Sequence, residues 1–342
     1  MKGGGALVRK SLVSMLLCLC AMRLAVVAGA EDGIRNWVGE LERELMAEKT
    51  QAAAAESIQE IEEVGNVDVV PVAIYRGGGE TALNLGEESG AEVLEKSFVS
   101  DLSIKNDSSR TVNVLELLSQ GTGLILSADG PQILIVHTHG SEAYTQSGSD
   151  LYVESDPYRT EDMSQNVIRV GDVLTEVLEG KGLSVIHDRE IYDYPSYTGS
   201  YSRSGAAVEN YLSEYPSIKM VIDLHRDALG SGNTVYKTRA EASLGDCAQL
   251  MLLVGTGDNG LYHPNWQENL KLALYLQNAM EKAYPSLARP LSLKSERYNQ
   301  HLCTGSLIIE VGSTGNTLAE AIRAIELFGD AAGDALVKLI DD

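Results

Sequence analysis

The 342-residue chain has few basic residues, few cysteines and few of the largest aromatic side chains. It carries 27 Lys and Arg against 49 Asp and Glu, a net charge of −22 at pH 7. Nucleic-acid binding needs clustered Lys and Arg to neutralise phosphates, so no nucleic-acid partner is expected. Two Phe and two Trp stand beside 15 Tyr, which favours an aliphatic core with tyrosines at wetter positions.

Three well-known catalytic motifs are also missing. The sequence has no HExxH signature, no GxSxG elbow and no GxxxxGK[ST] phosphate loop. Their absence excludes a helix-borne zinc peptidase site and a P-loop NTPase, and it disfavours a serine α/β-hydrolase.

Cysteine is scarce in the part of the chain that should be globular. Of the four cysteines, Cys18 and Cys20 lie in an N-terminal apolar run, and only Cys247 and Cys303 follow it. These two could form one disulfide or could be two buried small hydrophobic residues, and the sequence leaves both alternatives open.

The N-terminal 30 residues have the pattern of a targeting segment. They contain four bases and no acid, and an uncharged, mostly apolar run covers 11–22. Ala28-Gly29-Ala30 provides a small-residue cleavage site, whereas Arg23 argues against a clean membrane-spanning helix. We predict that 1–30 is either a cleaved signal peptide or an uncleaved signal-anchor. Both alternatives place the rest of the chain outside the cytoplasm, either secreted or anchored at the membrane.

The next segment, 31–130, is predicted to be an acidic extracytoplasmic spacer. Its first part, 34–63, is rich in Ala, Glu and Leu and has one Gly and no Pro, which favours helix. Its second part alternates short apolar pieces with Gly, Ser, Asn and Asp clusters, which is typical of a lightly structured connection with one or two strands.

The globular domain is predicted to cover 131–342. Continuous apolar runs indicate buried strands, and 3.6-residue periodicity indicates helices between them. This alternation predicts an α/β fold with a wound, mostly parallel sheet and flanking helices. The predicted strands are 133–136, 184–186, 219–224, 250–254 and 306–311; the predicted helices include 164–181, 265–284 and 317–339.

Histidine and glutamate follow or end three of these strands. His137 and His139 follow the first, His225 ends the third and Glu310 the fifth. In such sheets the ligand site lies beyond the carboxyl ends of the strands. Imidazoles and a carboxylate are the usual ligands of catalytic zinc, and a carboxylate that is not a ligand can act as a general base. The sequence therefore predicts a metal site, although each histidine alone could be an ordinary core residue.

Alternation along a strand places His137 and His139 on the same side, so that one could ligate and the other support it. The other histidines have weaker signals. His187 follows a strand, and His263 and His301 lie in Tyr- and Asn-rich loops. For these three we favour a surface or substrate-groove role.

Five ordered motifs resemble the stage II sporulation protein P family, within the zinc-dependent N-acetylmuramoyl-L-alanine amidases of the type 3 fold. The resemblance covers about 131–342. The motifs are HTHGSEAYT (137–145), RTEDMSQNVIRVGD (159–172), VIDLHRDA (221–228), RYNQ (297–300) and LIIEVGSTGNTLAEA (307–321).

This resemblance implies a zinc-dependent enzyme that hydrolyses peptidoglycan. Family members cut the amide between N-acetylmuramic acid and L-alanine, and some also cut peptide cross-links. The resemblance further implies a role in septal wall thinning and forespore engulfment, with the stage II sporulation proteins D and M as partners.

The resemblance also implies roles for individual residues. It makes His139 and His225 zinc ligands and Glu310 the catalytic base. The family's second ligand is a Glu four residues before the residue that opens the first helix, and the equivalent position here is Asp162, with Glu161 and Glu142 as alternatives. His137, Glu142 and Arg226 are then candidates for supporting the ligands.

Two other functions remain open at this point. The same zinc site could serve an endopeptidase that cuts cross-links only, because one metal centre serves either amide. The chain could also be a wall-binding scaffold with a decayed site, but His139, His225 and Glu310 are all present, which favours an enzyme.

Overall fold

The computed structural model describes residues 82–83, 92–96, 98, 102–231 and 234–341. The predicted signal segment, 1–30, and most of the predicted spacer lie outside these residues, so both assignments stay predictions. Within the described ranges no helix combines the length and the apolar character that crossing a bilayer would require.

The described residues form five helices and thirteen strands. The helices are α1 (Val114–Gln120), α2 (Val167–Gly180), α3 (Ser200–Glu214), α4 (Trp266–Ala283) and α5 (Leu318–Leu336). The strands are β1 (Ala82–Leu83), β2 (Glu92–Lys96), β3 (Ile104–Asn106), β4 (Leu126–Ser127), β5 (Ile133–Val136), β6 (Val185–His187), β7 (Met220–Asp227), β8 (Gly230–Ser231), β9 (Thr234–Thr238), β10 (Leu250–Gly255), β11 (Leu291–Lys294), β12 (Ser306–Ser313) and β13 (Ile340–Asp341).

A seven-stranded sheet dominates the described part of the chain, in the order β3-β11-β10-β12-β7-β5-β6. Its neighbouring strands run parallel except for β10 and β12, which are antiparallel. The predicted α/β class is therefore confirmed, with a mixed sheet and flanking helices. Two smaller sheets, β1-β2-β9-β8 and β13-β4, accompany it.

Because β10 runs antiparallel to β12, the carboxyl ends of the strands lie at two opposite edges of the sheet. Leu250, the first residue of β10, pairs with Val311 near the end of β12. The carboxyl ends of β5, β6, β7 and β12 therefore lie at one edge, which we name edge A. The carboxyl ends of β3, β10 and β11 lie at the opposite edge, which we name edge B.

Both faces of the sheet are covered, and β5 shows why its four residues are all apolar. Ile133 and Ile135 belong to the large core that includes α2 and α5, whereas Leu134 and Val136 pack with Val208 of α3 on the other face. A strand buried on both faces has no solvent side to carry polar residues. This is why the run could be recognised as a central strand.

Local sequence explains where the long helices begin. The Asn166 side chain accepts a hydrogen bond from Ile168 N and starts α2. Thr317 and Glu320 form a reciprocal capping box at the start of α5. Both are standard N-terminal signals, and these two helices and α4 confirm the helices predicted from periodicity.

Part of the segment interpreted as a spacer is folded against the sheets. β3 pairs in parallel with β11 at the end of the large sheet, and β2 pairs in parallel with β9. The described part of this segment contains four short strands, β1 to β4, and helix α1, which is more regular structure than the one or two strands expected there. Cys247 and Cys303 are both free and buried, so the structure selects the second of the two alternatives for cysteine.

Candidate functional site

The structure brings three of the predicted site residues together at edge A. His225 in β7 and Glu310 in β12 are register partners on adjacent parallel strands. His139 follows β5, the other neighbour of β7, and its ring centroid lies 5.3 Å from that of His225. Residues far apart in the sequence therefore meet at the edge where their strands end.

Glu142 is the carboxylate that lies beside these histidines. Its backbone N–H donates to the His139 carbonyl at 3.1 Å, in a tight turn after β5. Its Oε2 lies 3.4 Å from His225 Nδ1, and the residue is 6% exposed. Two ligands of one tetrahedral zinc are separated by about 3.4 Å, given metal–ligand distances near 2.1 Å. The Glu142–His225 spacing thus suits two ligands of one ion.

Asp162, the position implied by spacing from the first helix, is not part of this cluster. It is exposed, and its Oδ1 accepts hydrogen bonds from Ser164 N and Oγ at 3.0 and 2.7 Å. The Gln165 N–H donates to the Asp162 carbonyl, so the chain turns here just before α2. Glu161 is exposed as well and pairs with the Tyr194 hydroxyl. Of the three carboxylates considered for this position, Glu142 is the one that lies in the cluster.

His225 is held from both sides by carboxylates. Its Nε2 lies 2.8 Å from Asp223 Oδ1, an ion pair that is close but not aligned as a linear hydrogen bond. Asp223 in turn accepts from Thr138 N at 2.8 Å and Thr138 Oγ1 at 2.6 Å. A carboxylate behind a ligating histidine fixes its ring and increases its basicity. Sequence reasoning missed this role of Asp223, although its position two residues before His225 on the same strand was a usable signal.

The charges of this cluster follow from these contacts. Burial lowers the pKa of His225, but Asp223 and Glu142 outweigh it and hold the pKa well above its usual range. Burial raises the pKa of Glu142, but the charges of Arg226 and His225 hold it below its usual range. Burial lowers the pKa of His139 to about 4, so its imidazole is neutral at pH 7. A neutral imidazole and an ionised carboxylate are the forms that bind a metal, so His139 and Glu142 are already in that form, whereas His225 must release a proton when a metal binds.

Arg226 supports the loop that carries Glu142. Its backbone N–H donates to Glu142 Oε2 at 3.2 Å, and its guanidinium donates to the carbonyls of Ala143 and Tyr158. The predicted supporting role of Arg226 thus has a physical basis in the structure.

His137 lies behind the site and is completely buried. Its Nδ1 is 3.0 Å from the Leu224 carbonyl, and its Nε2 is 2.8 Å from His187 Nε2. Because a carbonyl only accepts, Nδ1 must donate and Nε2 must accept from His187. His187 Nδ1 lies 3.2 Å from Asp172 Oδ1. A chain of polar contacts therefore runs from Asp172 through His187 and His137 to the carbonyl of Leu224, the residue before His225. His187, interpreted as a surface or groove residue, is part of this chain.

Glu310 is partly buried, and its Oε2 has no hydrogen-bond partner among the described residues. Burial and the nearby charge of Asp227 raise its pKa to about 8. A bulge follows it, in which Gly312 has a φ of +67°. A Cβ at Gly312 would lie 2.9 Å from Asn316 Oδ1. The Glu-Val-Gly motif is therefore explained by a turn that only glycine enters easily.

Aromatic side chains form one wall of the cluster. The Tyr197 ring stacks on His139 with centroids 4.4 Å apart and is about half exposed. Tyr201 meets His139 edge-on at 5.5 Å. The Arg159 guanidinium lies over the Tyr197 ring, 5.2 Å from its centroid, and pairs with Asp193. Tyr197 and Asp193 carry no motif signal, because both lie in an irregular loop between β6 and α3.

The donor set suits zinc, but the side chains do not yet form a closed set of ligands. His139 Nδ1 is buried without a hydrogen-bond partner, 3.9 Å from Asp193 Oδ2. In the described part of the chain, no three His, Cys, Asp or Glu side chains are already arranged to hold a metal ion. The Glu142–His225 pair has the spacing of two ligands of one ion, and His139 is the third candidate donor beside it.

Comparisons with known proteins agree with the motifs. A family model described as Stage II sporulation protein P matches residues 43–332. The curated Stage II sporulation protein P of Bacillus subtilis is 28% identical over 227 residues, which are 63% of this chain and 53% of that protein. The chain thus spans about half the length of this curated relative.

Solved structures are also similar. The amidase AmiC2 of Nostoc punctiforme is 11% identical, with a TM-score of 0.35, over 61% of this chain and 97% of that one. The CwlD amidase of Clostridioides difficile, solved with the GerS lipoprotein, is 13% identical, with a TM-score of 0.38, over 60% and 99%.

Proposed function

The chain belongs to the stage II sporulation protein P family, and on that premise we propose that it is a zinc-dependent peptidoglycan hydrolase of sporulation. The observation that carries the proposal is the meeting of His139, Glu142, His225 and Glu310 at edge A. Two imidazoles, one carboxylate and a separate carboxyl group are the parts that metal-assisted amide hydrolysis needs.

In this proposal His139, Glu142 and His225 hold the zinc. When bound, the ion supplies an acidified water molecule and an electrophile for the scissile carbonyl. Asp223 keeps the His225 ring in place through the 2.8 Å contact, and Arg226 keeps Glu142 in its turn.

Glu310 acts as the general base and then as the general acid. Its carboxylate takes a proton from the attacking water and returns that proton to the leaving amine. Its environment supports this role, because burial and Asp227 raise its pKa toward the operating range of a neutral-pH base. Its place beside His225 in the register supports the same assignment.

The proposed substrate is the amide between N-acetylmuramic acid and L-alanine. Tyr197 and Tyr201 border the cluster and offer apolar faces to a sugar or a stem peptide. The proposed setting is septal wall thinning and forespore engulfment outside the cytoplasm, with the stage II sporulation proteins D and M as partners. Residues 1–30 would serve as the signal or the membrane anchor.

The test is digestion of purified peptidoglycan by the full chain, with mass spectrometry of the products. We expect free lactyl ends and released stem peptides. Glu310→Gln should lower the rate about 10²–10⁴-fold, the usual contribution of a general base, while zinc remains bound. Asp162→Asn is the matched control and should retain the wild-type rate.

Other outcomes separate the alternatives. New peptide termini without lactyl ends would identify an endopeptidase. A chain that binds zinc but releases nothing would be a wall-binding scaffold. An unchanged rate in Glu310→Gln would remove this residue from the mechanism.

A further inference from the structure

A second cluster of polar side chains lies at edge B. His263 is in the loop between β10 and α4, and Arg297 and His301 follow β11. The two loops are joined, since Asn265 Nδ2 donates to the His301 carbonyl at 3.0 Å and Arg297 Nη1 to the Tyr262 carbonyl at 3.3 Å. The His263 and His301 ring centroids lie 6.5 Å apart. We call His263, Arg297 and His301 the basic cluster.

The basic cluster contains buried polar atoms without partners. His263 is 6% exposed, and neither of its ring nitrogens has a hydrogen-bond partner in the described part of the chain. The same holds for Arg297 Nε and His301 Nδ1. Folded proteins seldom leave such groups unsatisfied. Four unpartnered polar atoms on three neighbouring side chains point to a ligand.

The chemistry of the cluster selects the sign of that ligand. Arginine stays protonated and can only donate, and a neutral histidine offers one donor and one acceptor nitrogen, so Arg297 Nε and one ring N–H of His263 are both available as donors to one ligand. Burial and the charges of His301 and Arg297 lower the pKa of His263 to about 4. A metal cation would face the positive charge of Arg297, whereas an acceptor-rich anion would pair with it. Glu209 is the acid that acts on His301 from α3.

We infer that the basic cluster binds an oxyanion, the carboxylate or phosphate group of a larger molecule. Edge B is the place where a ligand is expected in an α/β sheet, because β10 and β11 end there in parallel. The inference does not depend on the proposed hydrolase activity at edge A.

The experiment is a titration of the full chain with inorganic phosphate and, separately, with acetate, against chloride at matched ionic strength. Histidine labelled with ¹³C reports the binding by NMR, with the His263 signal assigned from its loss in His263→Gln. We expect a saturable shift of the His263 signal. Binding should weaken about tenfold or more in Arg297→Gln, because a charged hydrogen bond is lost. Arg323→Gln, a half-exposed arginine on α5, should bind as the wild type does.

The two titrations distinguish the sources of the anion. Saturation by phosphate alone identifies a phosphate site, and saturation by acetate as well identifies one that also takes carboxylates. If neither anion saturates the His263 signal, only ordered water satisfies these atoms and the inference is overturned. Equal binding by the wild type and Arg297→Gln would also overturn it. If Arg297→Gln does not fold, Arg297→Lys replaces it, since that variant keeps the charge but loses Nε.

Discussion

His225 at edge A and His263 at edge B lie in opposite electrostatic surroundings. At edge A, His225 lies between Asp223 and Glu142, which hold its pKa well above its usual range. At edge B, His263 lies near His301 and Arg297 and is buried, and its pKa falls to about 4. The same residue type therefore belongs to a candidate cation site at one edge and to a candidate anion site at the other. The neighbours, and not the histidine, decide which ion fits.

The reversal of β10 is the structural origin of this contrast. In a fully parallel sheet the carboxyl ends of all strands lie at one edge, whereas in this sheet they are divided between edge A and edge B. Loops that follow β5, β7 and β12 build one site, and loops that follow β10 and β11 build the other. The account is therefore tested best by changes that affect one edge and leave the other unchanged.

Among substitutions outside the proposed ligands and the proposed base, the largest effect is expected from Asp223→Asn at edge A. The substitution removes the carboxylate that holds His225 Nε2, so zinc affinity should fall about 10–100-fold. Competition with a zinc-binding dye measures this directly. Glu209→Gln, near His301 at edge B, is the matched control and should leave zinc affinity unchanged. Equal zinc affinity in Asp223→Asn and the wild type would contradict a role for Asp223 in holding the ligand.

The next effect concerns the buried support of edge A. A Cβ at Gly171 in α2 would lie 2.6 Å from His187 Nε2 and 2.7 Å from His137 Nε2. Gly171→Ala should therefore lower the free energy of unfolding by about 1–3 kcal/mol, the usual cost of overpacking. Urea unfolding measures this change.

Gly180→Ala in the same helix is its control, because a Cβ there meets nothing within 4 Å. We expect it to be neutral or to stabilise the chain by up to about 1 kcal/mol. If both variants lose similar free energies of unfolding, the loss comes from alanine in α2 itself and not from a clash with His137 and His187.

The smallest effect is expected at an ion pair away from the candidate ligands of both edges. Burial raises the pKa of Glu95 in β2, but Arg239 and Lys237 of β9 and its flank outweigh burial and hold the pKa below its usual range. A carboxyl group whose pKa is lowered on folding stabilises the chain above its unfolded pKa, and this contribution is lost as the pH falls through its folded pKa.

The urea midpoint of Glu95→Gln should therefore lie below that of the wild type at pH 6, by a difference worth about 1 kcal/mol or less. The difference should shrink toward pH 3. A difference that stays constant between these pH values would show that Glu95 contributes through packing and not through charge.

The elements that could be predicted from the sequence are those with strong local signals. β5 is apolar throughout because both of its faces are buried, and α2 and α5 have N-terminal caps. His139, His225 and Glu310 could be placed at one edge because strand ends in a wound sheet converge.

The features that could not be predicted from the sequence depend on contacts between residues that are distant along the chain. Hydrophobic periodicity does not report strand direction, so the antiparallel β10 and with it edge B were not predicted. Spacing from the first helix pointed to Asp162 and not to Glu142, because spacing does not report how the loop between β5 and α2 turns a carboxylate inward. His263 and His301 looked like loop residues, and only the structure shows His263 buried beside His301.

The most direct test of the central claim is the zinc content of the full chain and of two variants, measured by elemental analysis after dialysis. We expect about one zinc per chain in the wild type, as in other catalytic zinc sites. Asp162→Asn should retain the metal, because Asp162 is exposed and bonded to Ser164, whereas Glu142→Gln should lose it. Zinc retained by Glu142→Gln and lost from Asp162→Asn would contradict the account of edge A.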